Sequence, residues 1–149
     1  MKMKMMSIFV DTNIWVYIRL NQSEFHAEAL TAIQELEDDG VALWTSHQVI
    51  REYVAVLAKR HPLTASISPR EAASAARDML ARLNVAPDST QVLDRLLELI
   101  QERDPSYRRV HDANIVACML CSGVTTILTN DPEDFRVYSD LIDVRPLRP

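Results

Sequence analysis

Apolar and polar positions along the chain alternate between two rhythms. "SIFV" at positions 7–10 is a short continuous apolar run with the length of a buried strand. "NIWVYIRL" changes to helical spacing and "SEFHAEALTAIQELEDDG" repeats it, with Ser23 as the expected N-cap and Gly40 as the stop. "VALWT" returns to a strand. "SHQVIREYVAVLAKRHP" predicts a helix capped by Ser46, with Val49, Tyr53, Val56 and Leu57 on one face and Pro62 at its end. "SPREAASAARDMLARLN" opens with Ser68 as cap, Pro69 at the first helical position and Glu71 three residues after the cap, the pattern of a capping box. "VAP" reads as an edge strand. "STQVLDRLLELIQERD" and "RRVHDANIVACMLCSG" give two more helices, the second closed by Gly123, and "TTILTND" and "LIDVRPL" complete the strands.

Strands that alternate with helices pair in parallel by crossover, which predicts an α/β sandwich with helices on both faces of the sheet. The 149 residues fit one domain spanning 1–149, and no repeat, low-complexity tract or linker interrupts it. No apolar segment reaches the roughly 20 residues of a bilayer span. The start "MKMKMMSIFVD" has neither an apolar signal region nor a cleavage site, so a cytoplasmic location is expected. Cys118 and Cys121 form a CxxC with no second Cys/His pair at zinc spacing, inside a helix where both serve as small core residues. The net charge of −5 argues against a wholly basic nucleic-acid-binding surface and leaves room for a local one.

Chemistry enters at Asp11, a carboxylate where the first strand runs out. An unpaired buried carboxylate is so costly that it is normally neutralised, paired or bound to a metal. Asp11 is therefore either a cap for the next helix, a task Thr12 or Asn13 could share, or a ligand. Ligands of open parallel sheets bind beyond the carboxyl ends of the strands. Asp131 follows "TTILTN" at such an end, Glu52 lies about two turns into the helix after the second strand, and Asp112 opens the helix feeding the fourth. Convergence of all four would need an offset, because two like charges about 4 Å apart repel by roughly 4 kcal/mol at an effective dielectric of 20. A divalent cation supplies it, and an all-oxygen donor set suits Mg²⁺ or Mn²⁺ rather than zinc. Water activated at such a site attacks phosphodiesters, which points to a nuclease.

From "FVDTNIWVY" through "TSHQVIREYVAVL" and "HDANIVACML" to "ILTNDPEDF", nearly the whole chain resembles the PIN-domain ribonucleases, and within them the VapC-type toxins of toxin-antitoxin modules. The resemblance implies a PIN-like three-layer α/β/α sandwich with a central, mainly parallel sheet of four or five strands. It implies that Asp11, Glu52, Asp112 and Asp131 are the catalytic and metal-binding positions, supported by Asn13, Thr129 and Ser46, with Phe135 as the aromatic after the last acidic motif. It further implies an Mg²⁺- or Mn²⁺-dependent endoribonuclease, often directed at tRNA or rRNA, inhibited by a cognate antitoxin and commonly a homodimer.

His111, Asn114 and Asp134 lie near these positions but read equally as structural or solvent-facing residues and stay outside the catalytic set. Arg103, Arg108 and Arg109, with Arg51, Lys59 and Arg60, are candidate phosphate contacts or plain solvated charges. Two other readings compete. One is a PIN-like binding or scaffold module that has lost catalysis. The other is a phosphatase with Asp11 as nucleophile, disfavoured because Asn13 stands where such enzymes carry a second Asp. An antitoxin would dock as an amphipathic helix in a groove, as helices such as "TQVLDRLLELIQ" offer apolar faces.

Overall fold

In the computed structural model, which describes residues 6–59 and 67–149, the chain folds around a five-stranded sheet whose strands all run parallel. In chain order the elements are β1 (Ser7–Val10), α1 (Thr12–Arg19), α2 (His26–Asp38), β2 (Ala42–Ser46), α3 (His47–Ala58), α4 (Pro69–Leu80), β3 (Asn84–Ala86), α5 (Thr90–Arg103), α6 (Val110–Cys121), β4 (Thr126–Thr129) and β5 (Asp143–Pro146). Two 3₁₀ segments, Tyr107–Arg109 and Pro132–Tyr138, precede α6 and follow β4. The expectation of a mainly parallel sheet of four or five strands resolves to five, all parallel.

The strand order is β3-β2-β1-β4-β5. From β1 the chain steps outward through β2 to β3, then returns across β1 to β4 and steps outward again to β5. Right-handed crossovers therefore put α1–α4 on one face and α5 and α6 on the other. The packing agrees: α1 contacts α2 and α3, α3 contacts α4, and α5 contacts α6. The direction of winding reverses between β1 and β4, and the crevice above such a switch point is where doubly wound sheets bind ligands. Asp11 lies at the β1 side of that crevice, and its N–H extends the β1–β4 ladder by donating to the Leu128 carbonyl at 3.0 Å.

Burial on both faces explains the continuous apolar strands. Ile8, Phe9 and Val10 of β1 pair with Leu43, Trp44, Ile127 and Leu128, and Phe9, Val10 and Ile127 are fully buried. Ile14, Val49, Leu99, Val116, Met119, Phe135 and Tyr138 close the core from the flanking segments. Cys118 is buried, and burial pushes its thiol up to about 11, so it packs as an unreactive apolar residue. Among the described residues no helix is long and apolar enough to cross a membrane.

The caps separate what local sequence decides from what packing decides. Ser46 and Ser68 cap their helices as expected, accepting from Val49 N–H at 3.3 Å and Glu71 N–H at 3.1 Å. Ser89 does the same for α5 through Val92. Ser23 does not cap α2. Its hydroxyl accepts from Phe25 N–H at 3.1 Å in a tight turn, and the helix begins only at His26. Val56 also departs from expectation: Val49, Tyr53 and Leu57 are buried, whereas Val56 is 46% exposed. The expected stop at Pro62 lies outside the described residues. Gly40 and Gly123 sit at φ 72° and 71° just past α2 and α6, the left-handed conformation that ends a helix.

Candidate active site

Each acidic side chain is delivered by a different element and held by a neutral or cationic donor. Asp11 ends β1 and caps α1, with Oδ1 accepting from Thr12 N–H at 2.8 Å. Its Oδ2 accepts from the Thr129 hydroxyl at 2.7 Å, and the same hydroxyl oxygen accepts from Asp131 N–H at 3.0 Å. Thr129, fully buried at the end of β4, thus ties the Asp11 carboxylate to the turn that carries Asp131. Asn13 reaches the same turn: its amide donates to Asp131 Oδ2 at 3.0 Å. The cap and ligand readings of Asp11 are therefore not exclusive, since capping itself points the carboxylate at the crevice.

Glu52 sits two turns into α3, whose start is fixed by the buried Ser46 cap. Thr12 Oγ1 donates to Glu52 Oε2 at 2.9 Å and the Gln48 amide donates to Oε1 at 2.9 Å. Gln48 also donates to the His111 carbonyl at 3.1 Å and accepts from Asn114 at 2.7 Å. A polar relay therefore runs from α1 through α3 to the first turn of α6, where Asp112 stands. Asp112 Oδ2 lies 3.6 Å from the Arg109 guanidinium, which forms its main ion pair with Asp134.

Asp11, Glu52, Asp112 and Asp131 all line one cleft of about 470 Å³, together with Thr12, Asn13 and Asp134. Val16, Tyr17, Ala55 and Val56 form its apolar wall, which accounts for the outward turn of Val56. Burial is the main reason that Asp11 is raised to about 6, with Glu52 and Asp131 adding repulsion against the lowering hydrogen bonds from Thr129 and Thr12. Asp112 is also raised to about 6, first by burial and then by the charges of Asp134 and Asp11, with Arg109 opposing. Among the described residues, no three or more His, Cys, Asp or Glu side chains are set to hold a metal ion between them. The carboxylates instead point at the donors just named. Their chemistry nevertheless fits a hard cation: four oxygen donors, mutually repelling and partly dehydrated, face one cleft.

Several neighbours went unassigned in the sequence. Thr12 and Gln48 orient Glu52, Asn114 orients Gln48, and Asp134 enters the cleft wall. The spacing of Gln48 four residues before Glu52 was the available signal for one helix face. Ser46 and Phe135, by contrast, support from beneath: both are buried, and neither lines the cleft. Of the candidate phosphate contacts, Arg109 is committed to Asp112 and Asp134, and Arg103 to Asp140 at 2.6 and 2.7 Å. Arg51, Lys59 and Arg108 are exposed, and Arg60 lies outside the described residues.

The structure of VapBC2 from Rickettsia felis, bound to a promoter DNA fragment, matches with a TM-score of 0.67 at 16% identity, over 95% of this chain and 98% of that one. VapC20 from Mycobacterium tuberculosis, described as a sarcin-ricin loop cleaving toxin, matches with a TM-score of 0.63 at 22% identity over 93% and 99%. VapBC-1 from nontypeable Haemophilus influenzae matches with a TM-score of 0.66 at 16% identity over 97% and 100%. At these identities the likeness is one of fold, and it is the fold of VapC-type proteins. No curated protein sequence matches the chain. The PIN domain family model matches residues 8–141, from the first strand to beyond the last acidic turn, and the chain belongs to the PIN-domain family.

Proposed function

We propose that the protein is a metal-dependent endoribonuclease, the toxin of a toxin-antitoxin pair acting in the cytoplasm. The observation that carries this reading is the meeting of Asp11, Glu52, Asp112 and Asp131 in one cleft at the switch point of a PIN-domain sheet. Family membership supports a nuclease. The toxin-antitoxin neighbours support an inhibitory protein partner and a toxin role, and the toxin that cleaves the sarcin-ricin loop favours structured RNA as substrate class. A homodimer is part of the proposal on the same resemblance.

Asp11, Glu52, Asp112 and Asp131 would hold Mg²⁺ or Mn²⁺, which when bound supplies neutralising charge for the phosphodiester and acidifies a water. The side chains have separable tasks. Thr129 holds Asp11 by Oδ2 and Asn13 holds Asp131 by Oδ2, so both carboxylates keep their direction while the cleft fills. Glu52, fixed at both oxygens by Thr12 and Gln48, keeps its direction toward the cleft. Burial and the charges of Asp134 and Asp11 raise Asp112 to about 6 in the metal-free cleft, so a cation held there would favour its carboxylate form.

The test is cleavage of total RNA by the purified, antitoxin-free chain with Mn²⁺, Mg²⁺ or EDTA. Discrete metal-requiring fragments are expected, reduced at least a hundredfold by Asp11→Asn or Asp112→Asn in a folded sample, as roughly 2.7 kcal/mol of lost transition-state stabilisation would give. Near-normal turnover in either variant would remove the site assignment. Intact RNA throughout, from folded protein that binds metal, would transfer the case to a binding module.

A further inference from the structure

The 3₁₀ turn Tyr107–Arg109 stands at the entrance of α6, and its three side chains take three different roles. Arg109 turns inward to Asp112 and Asp134 at the cleft. Tyr107 turns outward and is 78% exposed, the largest exposure among the described large apolar side chains. Arg108 braces it: its guanidinium carbon lies 5.6 Å from the ring centroid and its Nε donates to the Tyr107 hydroxyl at 3.0 Å. Arg108 makes no ion pair among the described residues, in contrast to Arg103 and Arg109, which are bound to carboxylates.

The Tyr107 ring is not among the side chains packed on the core, so the core does not fix where it stands. Held in place by Arg108, the ring offers a flat face at low entropy cost, with a free cation alongside. Unpaired bases stack on such faces regardless of sequence, and the adjacent arginine is suited to the phosphate that follows. In a chain of net charge −5, a cation not cancelled by a neighbouring carboxylate marks where a polyanion can approach.

We propose that Tyr107 and Arg108 form the RNA-docking platform of this protein. Tyr107 stacks on an unpaired base next to the scissile phosphate and Arg108 contacts the backbone, while Arg109 tethers the turn to the cleft. The platform selects looped or single-stranded RNA over duplex, whose bases present no free face. This inference rests on the ribonuclease reading.

The test uses the full chain silenced by Asp11→Asn and a short fluorescent single-stranded RNA of mixed sequence, with its duplex as comparison. Tyr107→Ala is expected to weaken single-strand binding about tenfold, while Tyr107→Phe keeps it within about twofold because the face is retained. Arg108→Gln should lower the slope of log affinity against log salt by about one. In chain that keeps Asp11, Tyr107→Ala should lower kcat/KM through KM. Unchanged single-strand affinity and KM in Tyr107→Ala would overturn the platform while leaving the ribonuclease standing. Tyr107→Phe as weak as Tyr107→Ala would overturn the stacking role. Loss of a co-purifying protein from Tyr107→Ala with RNA binding intact would give the surface to a protein partner and overturn the proposal. RNA neither bound nor cleaved by the chain with Tyr107 and Arg108 in place would overturn both readings together.

Discussion

Asp11 shows how one residue carries a structural and a chemical duty at opposing costs. Capping and the Thr129 hydrogen bond favour its ionised form, yet burial outweighs them and raises it to about 6 from 3.8. The folded state thus binds this proton more tightly than the unfolded state, so the stabilising effect of protonation is complete below about pH 4. It is lost as pH rises through about 6. For Asp11 the swing is about 3 kcal/mol at most. Asp112, shifted the same way, adds to it in the same window. The exposed pairs Glu28–Arg148 and Asp140–Arg103 run oppositely: their carboxyls are lowered by the arginines, so their contribution falls away only below the ordinary carboxylate range. Urea unfolding of metal-free protein should therefore show stability decreasing between about pH 4 and 6, with a smaller decrease in Asp11→Asn. A decrease of equal size in that variant would mean that Asp11 is not the group responsible.

At the scale of elements, the site depends on how α3 and α6 are locked. Gln48 accepts from Asn114 and donates to the His111 carbonyl and to Glu52, so it sets the two helices against each other at the level of Glu52 and Asp112. Gln48→Leu keeps the volume but removes the hydrogen bonds to the half-buried Asn114 amide, the His111 carbonyl and Glu52, at about 0.5–1.5 kcal/mol for each bond lost. The expected outcome is a loss of about 2 kcal/mol in chemical denaturation, with kcat falling more than KM changes. A stability change within about 0.5 kcal/mol would show that the relay holds nothing together. This lock was hard to see in the sequence because it joins residues 63 and 66 positions apart. Local signals were readable: the caps at Ser46 and Ser68, the apolar strands, and carboxylates beyond strand ends. Ser23 misled because a turn closing on Phe25 N–H competes with the helix for the same hydroxyl. Val56 misled because a cleft wall, unlike a core face, can hold an apolar side chain that is half open to solvent. Asp134 reads as a cap or a solvent-facing residue in the sequence because its inward aim depends on a seven-residue 3₁₀ segment and on Arg109, neither of which has a local signature.

For the molecule as a whole, folding is what brings the acidic groups together, because Asp11 and Asp131 are distant in sequence yet share Thr129 across the β1–β4 switch point. The metal-free fold therefore contains repulsion that the unfolded chain does not, and a cation bound only by the folded state should relieve it. By linkage, Mn²⁺ at 100 times its dissociation constant adds about 2.7 kcal/mol. For a chain of this size each kcal/mol moves the midpoint by about 2–4 °C, so Tm at pH 8 should rise by about 5–10 °C. Near pH 5 the rise should shrink, because protons compete for Asp11 and Asp112, both raised to about 6. Asp11→Asn reverses the comparison: without metal at pH 8 it should melt no lower than the native chain, since one repelling charge is gone, while gaining little from Mn²⁺. Thermal scans of the two proteins at both pH values decide the matter. Equal Mn²⁺ shifts in native and Asp11→Asn protein, or no shift in either at millimolar metal, would place the cation elsewhere or nowhere, and the acidic cleft would have to be explained by Arg109 and its hydrogen-bond donors alone.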